Sequence, residues 1–235
     1  MSATVRAVPN VTEFDTGLEG REDTMDALDQ DDRALVSQML AEQAEEVRSH
    51  FDHPSLTIAH VVTHRPEQWL ITLGTQLMTS DDASDRILGS RLVREVKSET
   101  DAVTLTVAML LEHEQNATVI PWLISALGFL HASTQMSLIL SFADHSDPSI
   151  RYAVSDAISF CAGGTLGSAP RDALITLAGD PDPDVRWSAV FEIIAWSEST
   201  HEPALLDRLR ISANDPEEPI RSLALEALAA SLEPG

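Results

Sequence analysis

Three arginines stand at positions 151, 186 and 221, separated by 35 residues each time. Each follows a β-branched residue, Ile150, Val185 or Ile220, and each sits in a turn headed by an acid. The segments are Asp147-Pro-Ser-Ile-Arg-Tyr, Asp182-Pro-Asp-Val-Arg-Trp and Glu217-Glu-Pro-Ile-Arg-Ser. A fixed period of this length marks stacked copies of one supersecondary unit, which restricts the chain to a repeat architecture. Fainter copies lie upstream. Asp82-Ala-Ser-Asp-Arg86 keeps the acid–arginine spacing, residues 116–130 keep the apolar pattern without the arginine, and a degenerate unit begins at 52–57.

Each unit divides into the same parts. A first helix is expected at 65–77, 134–145, 169–180 and 202–213, followed by an Asp/Pro/Asn turn and a second helix. Pro66, Pro170 and Pro203 fall where a helix would begin, and proline is tolerated there because its missing N–H has no intrahelical partner. The acids of the turns lie near the positive end of the second helix. Alternating apolar and polar runs are missing, so strands are not expected. Three regions follow: an acidic segment over 1–30 with little apolar periodicity, a capping helix and degenerate first unit over 31–65, and the repeat array over 66–235. The capping helix is expected to start near Asp31–Asp32 and end near His50, with Leu35, Val36, Met39 and Leu40 on one face.

The segments DPDPDVRWSA (180–189) and DPSIRYAVSDAIS (147–159) resemble HEAT repeats, of the short variety also found in phycobilisome lyases. The resemblance is strongest over 144–232 and fades before residue 50. It implies an all-α, right-handed α-solenoid of about five HEAT-like helix pairs. It also implies a ladder in which turn acids and second-helix arginines link neighbouring units; Asp147, Asp182 and Glu217 with Arg151, Arg186 and Arg221 match that pattern. It says little about function, because such repeats serve scaffolds, inhibitors, lyases, hydroxylases and glycosylases alike.

Function is sought where one unit departs from its siblings. With the β-branched residue as position zero, positions 3, 4, 7 and 8 hold small or apolar residues and are expected to pack. Positions 2, 6 and 9 face outward, which in the family is the concave wall. They are Tyr152, Asp156 and Ser159 in one unit, Ser222, Glu226 and Ala229 in the last, and Trp187, Phe191 and Ile194 between them. Three large apolar groups on one face, with Glu192 beside them, have the composition of a binding hot spot. Trp187, Phe191, Ile194, Tyr152, Asp156, Glu192 and Glu226 are therefore the expected partner-binding residues. Trp122 and Trp196 are expected in the packed interior.

The net charge of −23 repels phosphates and anionic membranes and favours a basic protein partner. Nucleic acid and membrane are accordingly not expected as partners, and no apolar stretch reaches the roughly 18–20 residues of a membrane-spanning helix. Without a basic, apolar leader the chain is expected in the cytoplasm. The single cysteine, Cys161, excludes an intramolecular disulfide and is expected to be an inert core thiol. Residues 50–64 hold His50, His53, His60 and His64 but no His-Glu-x-x-His arrangement, so a polar helix face is expected rather than a metal site. His113-Glu114 and His201-Glu202 are too few for the paired ligands of HEAT-like di-iron hydroxylases, and a HEAT-like DNA glycosylase would need a basic channel. The expectation is a non-catalytic, cofactor-free scaffold, adaptor or inhibitor, of which an immunity protein against a basic nuclease-type toxin is one form. A HEAT-like enzyme is the rival.

Overall fold

The computed structural model describes residues 29–49, 56–98, 100–200 and 202–231; the acidic segment before residue 29, His50, His53 and His201 lie outside them. The described residues form twelve α-helices, one short 3-10 turn and no strand. Helix α1 spans Gln30–Ser49 and α2 Leu56–His64. Five helix pairs follow: α3 (Glu67–Met78) with α4 (Ala83–Val93), α5 (Thr100–His113) with α6 (Ile120–Phe129), α7 (Met136–Leu140) with α8 (Pro148–Cys161), α9 (Ser168–Leu177) with α10 (Pro183–Thr200), and α11 (Pro203–Ser212) with α12 (Glu218–Ala230). The second helices stack in chain order, α4 on α6 on α8 on α10 on α12, giving the all-α solenoid that the period implies. None of the described helices is long and apolar enough to cross a membrane.

The turns start the second helices as their chemistry requires. Asp82, Asp147 and Asp182 each accept the backbone N–H two residues on, from Ser84, Ser149 and Asp184, and Asn116 does the same for Thr118. The three aspartates satisfy donors that the first helical turn leaves orphaned, whereas Asn116 acts in the turn before α6, whose N-cap Val119 makes no side-chain cap bond. The Ser149 hydroxyl and N–H both donate to Asp147 and hold its carboxyl below its ordinary pKa. From each cap the apolar register runs inward. Ile150, Ala153, Val154, Ala157 and Ile158 of α8 are all buried, as are Val185, Ser188, Ala189 and Ile193 of α10.

Two glycines permit unusually close helix approach. A Cβ on Gly89 of α4 would lie 2.5 Å from the Gly74 carbonyl oxygen of α3. A Cβ on Gly128 of α6 would lie 3.2 Å from Cα of Ala157 on α8. Helix backbones therefore meet almost directly at these crossings. Between α8 and α10 the buried Ser155 and Ser188 hydroxyls lie 2.6 Å apart.

The arginines do link the units, but through acids other than those expected. Arg151 grips its own turn by donating Nη1 to the His145 and Ser146 carbonyls, then reaches the next unit's Asp180 with Nε and Nη2, both at 2.7 Å. Arg186 repeats this with the Asp180 and Pro181 carbonyls and with Asp215, at 2.9 and 3.1 Å. Arg86 grips Ser80 and Asp81 and pairs with Glu114, at 2.8 and 3.2 Å. Arg221 grips the Asp215 and Pro216 carbonyls at the end of the array. Asp180 and Asp215 thus stand two residues before the caps. Asp147 and Asp182 are spent on capping instead, and Glu217 makes no side-chain cap bond but donates its N–H to Asp215. Burial alone would raise the Asp180 and Asp215 carboxyls; the bidentate arginines and the capping-turn N–H groups outweigh it and hold both below their ordinary pKa.

One rung is absent. Residue 120, where a unit's arginine would stand, is a buried isoleucine. The residue it would have met is His145, whose Nδ1 accepts the Asp147 N–H at 3.0 Å.

Candidate binding site

Three consecutive second helices each bring an aromatic residue to one wall: Trp122 on α6, Tyr152 on α8 and Trp187 on α10. With Ile120 in the arginine's place, position 2 of α6 is Pro121 and Trp122 follows it, but the side chains of Trp122, Tyr152 and Trp187 all line the same wall. They open on a groove of about 830 Å³, whose walls also include Ser125, Asp156 and Asp184. Tyr152 is 38% exposed and Trp187 39%. Trp122 is half-buried and lines the groove, so its expected place in the interior is corrected. Trp122 holds position 3, filled in α8 and α10 by the smaller buried Ala153 and Ser188, and its larger side chain reaches the groove.

The expected hot spot separates into three parts. Trp187 and Phe191 are four residues apart on α10, and their rings stack with centroids 5.6 Å apart; Phe191 is half exposed. Tyr152 and Asp156 join Trp187 at the groove. Ile194 is half-buried at the edge of the core, and Glu226 is exposed on α12, away from the groove lining.

Glu192 is the clear correction: it is only 8% exposed. It occupies position 7, where α8 and α12 place Ala157 and Ala227, so the packed register carries it inward. Burial raises its carboxyl pKa, a hydrogen bond from Ser159 opposes this, and the nearby Asp156 raises it further. Asp156 is raised too, chiefly by burial and against the pull of Arg94. Protonation is therefore favoured at both carboxyls relative to exposed ones. Trp196 lies in the interior as expected and donates its indole N–H to Ser159 at 2.9 Å.

Basic residues that sequence reasoning passed over complete this wall. Arg91 lies 5.2 Å over the Trp122 ring and Arg94 4.6 Å over Phe129, which stacks on Phe160 at 4.8 Å. Counted from Asp85, Arg91 of α4 and Arg94 at its C-cap hold positions 6 and 9, the register already used for Asp156 and Ser159. That register would have found them. His131, in a left-handed conformation with φ 53°, donates Nδ1–H to the Phe160 carbonyl at 3.0 Å and closes this end.

The remaining candidates lie elsewhere. The His60 and His64 rings stack at 4.1 Å, and His64 Nδ1 donates to the His60 carbonyl. Glu114 belongs to the ladder, and Glu202 pairs with Arg171 at 2.5 Å. Cys161 is buried, its thiol pushed up to about 11 by burial, with Sγ donating to the Leu127 carbonyl.

No protein-family model and no curated protein matches this chain. Among solved structures it is similar to the X-ray structure of YibA from Escherichia coli, at 19% identity and a TM-score of 0.63. That match covers 94% of this chain and 77% of YibA. At this identity the likeness extends to the fold, an all-helical solenoid.

Proposed function

We propose that the chain is a HEAT-like, non-catalytic module that holds a basic protein on the wall formed by its second helices. The observation that carries this is the aromatic row Trp122–Tyr152–Trp187, contributed by three consecutive second helices and open on one groove. Half-exposed aromatics in a row, extended by Phe191, are the kind of anchor that dominates protein interfaces. The charge of −23 supports a basic partner by steering its approach and excluding acidic competitors. Neutralisation of a basic enzyme such as a nuclease is one form that this chemistry suits.

Affinity capture from the native host, followed by cross-linking and mass spectrometry, tests the proposal. Cross-links from a captured protein are expected on α6, α8 and α10, and Trp187→Ala with Phe191→Ala is expected to lose that protein. Cross-links confined to the first helices of the pairs, or a partner set unchanged by the two folded variants, overturn it.

A further inference from the structure

Resting on that binding role, we infer that the groove seats an arginine side chain of the partner, held flat against the aromatic row with its guanidinium toward Asp156. Three observations lead there. The groove walls combine aromatic faces with carboxylates, Asp156 within and the exposed Asp184 at the first turn of α10, in a chain of strongly negative charge. An aromatic face beside a carboxylate attracts a cation, and a planar one gains both stacking and a two-pronged hydrogen bond.

The chain itself already uses both kinds of contact with guanidinium groups, over aromatic rings beside the groove and on carboxylates at the turns. Arg91 lies over Trp122 and Arg94 over Phe129, while Arg151 and Arg186 fork onto single carboxylates. Among the described residues no guanidinium lies over Trp187, whose ring stacks on Phe191. The Trp187 end of the groove therefore presents an aromatic face and the exposed Asp184 without a guanidinium of the described chain over the ring. Asp156, which feels the charge of Arg94 but is ion-paired to no arginine among the described residues, stands between the two ends. At about 830 Å³ the groove has room for the arginine together with the backbone that carries it. Lysine, a compact and strongly hydrated point charge, gains less from a flat ring and cannot fork.

The chain has four tryptophans, and their indole N–H signals give a direct readout by nitrogen-15 NMR. Trp69 donates its N–H to Asp32 and Trp196 to Ser159, so both serve as internal controls. Hexa-arginine peptide, titrated into the full chain at about 0.15 M salt to screen long-range attraction, is expected to shift Trp187 and Trp122 and leave Trp69 and Trp196 in place. Hexa-lysine of equal charge is expected to bind more weakly and to move the groove signals less. Trp187→Ala is expected to weaken hexa-arginine about threefold to thirtyfold, with little effect on hexa-lysine. Asp156→Asn, which removes the charge and keeps the shape, is expected to act in the same direction. Equal affinity for the two peptides, or unmoved Trp122 and Trp187 signals, overturns the inference. If captured-partner cross-links map to this wall while the peptides leave Trp187 unmoved, the binding role stands and the arginine seat falls. Cross-links elsewhere remove the role itself.

Discussion

Asp180 and Asp182 are two residues apart in one turn and do different work. Asp182 caps α10, a role worth about 1 kcal/mol. Asp180 meets the Arg151 fork with its side chain only 6% exposed, and its removal leaves a largely buried guanidinium without its carboxylate. Breaking such a pair costs about 3–5 kcal/mol. Asp180→Ala is therefore expected to lower stability several-fold more than Asp182→Ala in a denaturant titration; equal losses would show that the turn carries its load at the cap. The sequence displayed the arginines plainly, because a β-branched–Arg pair recurs at a fixed period. It hid their partners, because Asp-Pro-Asp-Pro offers two acids and the one nearer the helix looked more natural. Asp180 and Asp215 share the period of Arg151 and Arg186, and that signal was available. Glu192 was misplaced for a similar reason: its charge suggested the surface, whereas its register had already assigned it to the packed face.

At the scale of helices, most elements were legible. Turn acids and prolines marked where α8, α10 and α12 begin, since each signal is local. By contrast, α5 had no counterpart among the expected first helices, and the one expected over 134–145 is α-helical only over Met136–Leu140. Less legible was how closely neighbours approach. Gly128 reads as a weak point in an apolar helix, yet it lets α6 lie against Ala157 of α8. Nothing local announces such a contact, because its meaning depends on a residue 29 positions away. The groove was legible in part for the same reason. Trp187, Tyr152 and Asp156 followed from comparing units, but Trp122 belongs to a unit without the arginine, where the alignment was weakest. Arg91 and Arg94 belong to a unit with Asp85 at position zero, so the β-branched marker that fixes the register was missing.

The whole molecule carries a charge that works against its own compactness. Exposed carboxylates repel over a Debye length of about 10 Å at 0.1 M salt and about 3 Å at 1 M. The forked ladder pairs are screened much less, because their side chains are largely shielded from solvent. Melting temperature is therefore expected to rise as sodium chloride is raised across that range, as followed by circular dichroism. A falling melting temperature would mean that exposed pairs outweigh self-repulsion.

Acid distributes its effect unevenly along the array. Asp180 and Asp215 have folded pKa values below their unfolded ones, so their stabilisation is present above the unfolded carboxyl range and is lost as pH falls through the folded values. They fasten α8 to α10 and α10 to α12. The α6–α8 joint has no such rung, with Ile120 in the arginine's place, and relies on apolar contact around Gly128. Hydrogen exchange at falling pH is thus expected to show α12 and then α10 opening while α6 and α8 stay protected; uniform loss of protection would contradict this. A solenoid with one uncharged seam unzips from its C-terminal end and stops at that seam, leaving Trp122 and Tyr152 in place and the groove without its Trp187 wall. On the proposed binding role, the missing rung would let acid release a partner before the fold as a whole is lost.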